Sequence, residues 1–152
     1  MMAKSELKAI IPVAGAGVRL KPHTYTVPKA LLNVAGKPIL GHILEQVKAL
    51  GIRSMVLIIG YLGEKIKEYV HQNFDFDVVF VEQEERKGLG HAIYLTRRYV
   101  EKDEELLIVY GDTIFLGDLG QVLQPKYAYD GAIGVKAVED PRRFGIVELE
   151  DD

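Results

Sequence analysis

The chain reads as an α/β fold built on a largely parallel, helix-covered sheet. Three observations predict this. Short apolar runs alternate with segments of helical spacing, the runs are continuously apolar, and glycines mark the junctions between them. A continuous apolar run suits a strand buried on both faces, and helical segments of about ten to fifteen residues between such strands imply βαβ units.

Taken in order, Leu7–Val13 (LKAIIPV) is the first buried strand, and a glycine-rich, basic loop follows it. Pro38–Leu50 sets Ile39, Ile43, Leu44, Val47 and Leu50 at helical spacing, and Gly51 stops the helix. Ser54–Ile59 (SMVLII) is a second buried strand ending at Gly60. Gly63–Asn73 is a second helix with Ile66, Tyr69 and Val70 on one face. Phe76–Val81 is a third strand, followed by the polar loop EQEERKG. Gly90–Val100 reads as a third helix, and Glu105–Tyr110 (ELLIVY) as a fourth strand running into Gly111-Asp112. A short helix-like segment near Leu116–Leu123 precedes two further strands, Asp130–Val138 and Phe144–Glu150, which do not form another βαβ unit. No internal repeat, linker or low-complexity segment interrupts the pattern. Ligands of open parallel sheets bind beyond the strands' carboxyl ends. That rule places Ala14–Lys29, Glu82–Gly88 and Gly111–Thr113 along one edge.

Composition narrows the class. A chain of 152 residues is one domain's worth, and 48% hydrophobic with 27% charged residues describes an ordinary soluble globular protein. A formal net charge of −3 argues against bulk electrostatic binding to nucleic acid. The lack of cysteine removes disulfides and thiolate metal sites and fits a reducing compartment. Charged residues interrupt the N-terminal MMAKSELKAI, so it does not read as a signal peptide. No apolar stretch approaches the roughly 18 residues that suggest a membrane span. A cytoplasmic protein without a membrane or nucleic-acid partner is the expectation.

The chemistry concentrates in Ala14–Leu40, AGAGVRLKPHTYTVPKALLNVAGKPIL. Glycines let backbone N–H groups approach phosphate oxygens closely, and fixed cations offset their charge. Gly15-Ala16-Gly17 does not continue as a dinucleotide fingerprint, because position 20 is Leu20, and no Walker Lys-Ser or Lys-Thr follows. Alone, this G-x-G is equally a plain turn. Arg19, Lys21 and Lys29 add the charge that a nucleoside triphosphate calls for, although loop cations are commonly just solvated and Pro22 and Pro28 commonly just stiffen a turn.

The segment from Gly15 to Leu40 resembles the signature of the sugar-1-phosphate nucleotidylyltransferases, roughly G-x-G-T-R-L-x-P-L-T, then P-K, then G-K-P. Val18 stands where that pattern has Thr, and His23 where it has Leu. Glu82-Gln83 followed by Lys87-Gly88-Leu89-Gly90-His91-Ala92 resembles the nucleobase segment, close to the version in bacterial UTP–glucose-1-phosphate enzymes but without their large preceding insertion. Gly111-Asp112 resembles the metal site, and Phe144-Gly145-Ile146-Val147 the sugar pocket. The overall spacing is nearer the thymidylyl and archaeal-type branches.

This resemblance implies a Rossmann-like, three-layer αβα nucleotidyltransferase fold of the GT-A-like kind, truncated at its C-terminus. Residues 1–152 would then be the N-terminal, nucleotide-binding portion, with the sugar-phosphate portion absent and turnover of the fragment weak or nil. It implies an enzyme of nucleotide-sugar synthesis, in which a sugar 1-phosphate attacks the α-phosphorus of an NTP and pyrophosphate leaves. Arg19 and Lys29 would be catalytic cations. Ala14, Gly15, Ala16, Gly17 and Val18 would meet phosphate through their backbone, and Gln83 with Gly88 would read the base. Asp112 would bind Mg²⁺, and Phe144 with Gly145 would line the sugar site. Glucose 1-phosphate with dTTP or UTP is preferred. Mannose 1-phosphate with GTP, a non-catalytic nucleotide or NDP-sugar sensor, and a glycosyltransferase are the alternatives, the last disfavoured because no D-x-D follows ELLIVY. A truncated sheet leaves an unpaired edge that invites self-association into a homo-oligomer.

Other candidates stay structural. His42 and His71 sit on helices without ligand partners at metal spacing, and His23 reads as a surface substitution. Tyr127 and Tyr129 read as packing residues, and Glu101–Glu105 as a solvated connection.

Overall fold

The computed structural model describes residues 7–85, 87–121, 123 and 130–148. The chain divides into two units, 1–116 and 117–152.

In the first unit, a four-stranded parallel sheet forms from β1 (Lys8–Pro12), β4 (Ser54–Ile59), β5 (Asp77–Glu82) and β6 (Leu106–Ile108), in the order β5-β4-β1-β6. Its register sets Ile10 beside Val56 on one side and beside Ile108 on the other, with Val56 in turn beside Val79. The central strands hold residues with almost no exposure, including Ala9, Ile10, Ile11, Val56, Leu57 and Ile58. That is the burial their unbroken apolar runs called for.

Three helices connect these strands: α1 (Ile39–Ala49), α2 (Gly63–Asn73) and α3 (Leu89–Leu95). The first two crossovers carry the chain outward from β1 to β4 to β5, and the third returns past both to β6. Right-handed crossovers therefore put α1 and α2 on one face and α3 on the other. Ile10, Val56, Ile58 and Val81 pack with Ala92 of α3 in one cluster. The alternating residues Ala9, Ile11, Met55 and Leu57 point to the opposite face. A small hairpin, β2 (Asn33–Val34) with β3 (Lys37–Pro38), precedes α1. Its turn residues Ala35 and Gly36 both have positive φ, 50° and 82°, the backbone a two-residue hairpin turn needs.

The expected elements hold through Tyr110, with shifts of a residue or two at most ends. The third helix is the main exception: it is α-helical only to Leu95 and continues as a 3-10 turn over Thr96–Tyr99. Thr96, whose hydroxyl donates to the Ile93 carbonyl at 2.7 Å, sits at that change. The acidic connection Glu101–Glu105 is not simply solvated. Glu104 bonds Lys8 Nζ at 2.9 Å and caps the Glu101 N–H at 2.9 Å, with both side chains of the pair only 15% exposed.

In the second unit the expectations change. Around Leu116–Leu123, the described positions 119–121 and 123 are 3-10, and position 122 lies outside the described residues. The strands expected at Asp130–Val138 and Phe144–Glu150 are absent among the described residues, where 130–138 and 144–148 form no ladder. Residues 149–150 lie outside, as do Tyr127 and Tyr129. Ile133 and Val135 are 71% and 70% exposed. Strand preference is chiefly a preference for packing on a pleated neighbour, and these side chains have none. The described part of this unit instead contains a 3-10 turn at Pro141–Arg143, with Asp140 accepting from the Arg142 backbone N–H at 3.2 Å.

Candidate functional site

Beyond Pro12 the first strand feeds a loop that stays locked to the sheet. The Val13 N–H donates to the Ile58 carbonyl at 2.8 Å, and Ala14 is buried against Gly60. A Cβ on Gly60 would lie 2.8 Å from the Ala14 carbonyl oxygen, so only glycine permits this close approach. Gly15 then stands exposed, with open space where its Cβ would be, while Ala16 and Gly17 are half-buried and Val18 is exposed. Gly17 adopts the left-handed conformation (φ 59°, ψ 36°) and opens a 3-10 turn over Val18–Leu20, closed by the Leu20 N–H on its carbonyl at 2.8 Å.

That turn presents Arg19 to solvent. Among the described residues its guanidinium has no hydrogen bond or ion pair. Lys21 is engaged differently: its ammonium lies 5.1 Å from the centre of the Tyr25 ring. Further contacts fasten the loop to the segment after β4. The Tyr61 hydroxyl donates to the Tyr25 carbonyl at 2.9 Å, and Lys65 Nζ donates to the Thr26 carbonyl at 2.7 Å.

Lys29 begins a third 3-10 turn of the loop, Lys29–Leu31, after the buried Pro28 and the 3-10 turn His23–Tyr25. Its ammonium meets Asp112 Oδ2 at 2.7 Å, joining the loop to the segment after β6 across 83 positions of sequence. The backbone before Asp112 is fixed as well. The Gly111 N–H donates to the Pro12 carbonyl at 3.2 Å, and any Cβ at 111 would run into Val13 Cγ1 and lie 2.7 Å from the Pro12 oxygen. Burial pushes the Asp112 carboxyl up, but the Lys29 ammonium and the Thr113 hydroxyl outweigh that and hold it below its ordinary value.

On the other side of β1, the Gln83 N–H continues the sheet ladder to the Ile59 carbonyl at 2.9 Å. Its side-chain Nε2 donates to the Gly88 carbonyl at 3.2 Å and lies 3.4 Å from His91 Nδ1. Gly88 (φ 93°) precedes α3. Gln83 and Gly88 are thus brought together, and the Gln83 amide oxygen faces no partner among the described residues. Phe144 and Gly145 belong to the second unit and are described on their own: both are exposed, and the Phe144 N–H donates to Pro141.

The three segments expected at one edge do meet the sheet's carboxyl ends. A phosphate-sized anion could be met there by the open backbone at Gly15 and by Arg19. Among the described residues, no group of three or more His, Asp or Glu side chains is placed to hold a metal ion. Asp112 offers a single carboxylate, 52% exposed at a strand end. That donor set suits a Mg²⁺ ion that keeps waters and takes its other ligands from phosphate. The residue that sequence reasoning passed over is Thr24. It is 2% exposed and donates to the Gly17 carbonyl at 2.9 Å. Its only signal was its place at the end of the R-L-x-P-x-T run.

The chain matches the nucleotidyl transferase family model over residues 8–152. It is 42% identical over 146 residues to the bifunctional protein GlmU of Methanocaldococcus jannaschii, covering 96% of this chain and 34% of that protein. It is 33% identical to the UTP–glucose-1-phosphate uridylyltransferase AglF of Haloferax volcanii, covering 95% of this chain and 61% of that protein. Among solved structures, a glucose-1-phosphate thymidylyltransferase described from Bacillus anthracis, in complex with sucrose, superposes with a TM-score of 0.72 at 26% identity. That match covers 80% of this chain and 50% of the other. The chain therefore spans about a third to three fifths of the length of these relatives.

Proposed function

The chain belongs to the nucleotidyl transferase family, and from that premise we propose that it carries the nucleotide half-site of a sugar-1-phosphate nucleotidylyltransferase. The reaction is attack of a sugar 1-phosphate oxygen on the α-phosphorus of a nucleoside triphosphate, with pyrophosphate leaving in line. UTP or dTTP with glucose 1-phosphate is the preferred pair, supported by Gln83, by the KGLGHA run, and by the names of the uridylyl- and thymidylyltransferases that the chain is similar to.

The nucleophile is already an anion, so no strong general base is needed. The barrier comes from bringing two anions together, and a catalyst lowers it by alignment and charge neutralisation. The backbone from Ala14 to Val18 cradles the phosphates. Arg19, free of protein partners among the described residues, gives its charge to the leaving pyrophosphate and the α-phosphoryl oxygens. Lys29 sits as a second cation at the triphosphate, held ready by Asp112. Gln83 reads the pyrimidine edge, since an amide can accept and donate at once, and the Gly88 backbone closes the base site. Asp112 would hold Mg²⁺, which supplies further neutralisation of phosphate charge when bound. Phe144 and Gly145 would line the sugar pocket. On this reading residues 1–152 are the nucleotide-binding portion of a nucleotidyltransferase domain.

The observation that carries this reading is the Lys29–Asp112 contact, which ties the basic loop to the strand-end carboxylate. The natural protein, given Mg²⁺, UTP or dTTP and a panel of sugar 1-phosphates, is expected to release pyrophosphate. Release of a nucleoside diphosphate from an NDP-sugar would instead indicate glycosyl transfer. Nucleotide binding without any product would indicate a sensor. A strict requirement for GTP with mannose 1-phosphate would overturn the pyrimidine preference.

A further inference from the structure

Thr24 is one of only two buried polar side chains among the described residues, and it touches the phosphate loop at the point where that loop turns. Its hydroxyl donates to the Gly17 carbonyl, which also receives the Leu20 N–H that closes the turn bearing Arg19. Its methyl occupies the other side of the same residue. A Cβ built on Gly17 would fall 2.7 Å from Thr24 Cγ2 and 3.1 Å from Lys29 Cβ. One side chain therefore fills the space a larger residue at 17 would need, and orients the peptide plane that follows it. The 3-10 turn His23–Tyr25, which places Thr24, is itself held from outside by the Tyr61 bond to the Tyr25 carbonyl.

From these contacts we infer that Thr24 is a positioning residue for triphosphate binding, acting through Gly17 to aim the Val18 N–H and the Arg19 guanidinium. This rests on the reading of the 14–19 loop as the phosphate site. A carbonyl fixed by two donors cannot rotate freely, so the N–H of the same peptide plane, that of Val18, is fixed with it. Without the hydroxyl the Leu20 bond remains, the turn persists, and the fold has little reason to fail. What is lost is the constraint on where the N–H points. Preorganised donors contribute through direction, so a small rotation weakens anion binding more than it weakens the fold.

The test compares Thr24→Val, which keeps the shape and removes the donor, with Thr24→Ser, which keeps the donor and removes the methyl. UTP and dTTP affinities are measured calorimetrically on the natural protein in Mg²⁺, well below each variant's melting temperature, with thermal unfolding in the absence of nucleotide as the second readout. Thr24→Val is expected to weaken triphosphate binding about tenfold, and Thr24→Ser to stay within about threefold of wild type. A purely structural role would lower the melting temperature of Thr24→Val and leave its affinity within twofold, which overturns the inference. Equal losses in both variants would also overturn it, by assigning the effect to the methyl. Should Thr24→Val not fold, Thr24→Ala against Thr24→Ser decides instead, since both lose the methyl and only serine keeps the donor. The alanine variant should bind triphosphate at least about threefold more weakly than the serine variant, and equal affinities contradict the role. If wild type binds no triphosphate at all, the phosphate-site reading itself fails and this inference with it.

Discussion

Arg19 and Lys29 are two cations on one loop, and the structure treats them oppositely. Lys29 is neutralised in place, 2.7 Å from a carboxylate fixed just after β6. Arg19 projects from a glycine-hinged turn and has no partner among the described residues. An already paired cation adds little net field for an approaching anion, and its contribution grows only when its partner turns to another cation. An unpaired arginine offers its full charge and a planar fork of donors from the outset. Within the proposed site, that contrast favours Arg19 for direct contact with phosphate. Lys29, paired as it is, also keeps Asp112 ionised, so its removal should weaken the proposed triphosphate site less directly.

The largest effect should come from the free cation. Arg19→Ala is expected to cost about 2–4 kcal/mol of transition-state stabilisation, roughly 30- to 1000-fold in kcat/KM, the scale of removing one preorganised donor. Steady-state kinetics of the natural protein checks this, and a variant within twofold of wild type would erase the distinction between the two residues.

Next comes the backbone that presents Asp112. Gly111→Ala drives a methyl into Val13 Cγ1 and the Pro12 carbonyl, so it is expected to destabilise the fold by about 1–3 kcal/mol, as overpacking does. Chemical denaturation measures it. An unchanged midpoint would mean that Asp112 is not held against the first strand as described.

The pair itself should be worth less to stability. Both of its side chains are partly exposed, so a double-mutant cycle of Lys29→Met with Asp112→Asn should give a coupling of no more than about 1 kcal/mol. The same substitution at Lys29 should raise the Asp112 pKa toward its ordinary value, readable by NMR titration. An unmoved titration would show that the lysine is not what lowers it.

The smallest effect concerns pH. Burial raises the Glu104 carboxyl, but Lys8 and the Glu101 N–H outweigh this, so its folded pKa lies below the ordinary value of 4.5. A depressed carboxyl stabilises the fold above its unfolded pKa, and that contribution disappears as pH falls through the folded value. Asp112, with an ordinary value of 3.8, follows the same sign. Stability should therefore fall below about pH 4.5, more shallowly in Lys8→Met, which loses the better-shielded pair. Identical acid profiles for wild type and variant would remove Lys8–Glu104 from the explanation.

Legibility in the sequence followed the range of the interactions. The central strands could be read because burial on both faces leaves an unbroken apolar run, as in SMVLII, whatever lies elsewhere in the chain. The carboxyl-edge position of Ala14–Lys29 and Gly111-Asp112 followed from topology alone. The Lys29–Asp112 and Lys8–Glu104 pairs could not be read, because each joins residues more than eighty positions apart and a lone charge does not name its partner. Thr24 was hidden for another reason: a threonine in a polar loop looks exposed until the fold brings Gly17 against it. The strands expected at 130–138 and 144–150 misled because apolar, β-prone residues report an affinity for a neighbouring strand, and the described residues of that unit provide none.

The most direct test of the site is a calorimetric titration of the protein with UTP, dTTP, CTP, GTP and ATP in Mg²⁺, with Arg19→Ala and Lys29→Met run alongside. A triphosphate site reading a pyrimidine predicts selective binding of UTP or dTTP, nearly abolished in Arg19→Ala and weakened less in Lys29→Met. Equal losses in the two variants, or binding that ignores both substitutions, would contradict the division of labour between the free and the paired cation.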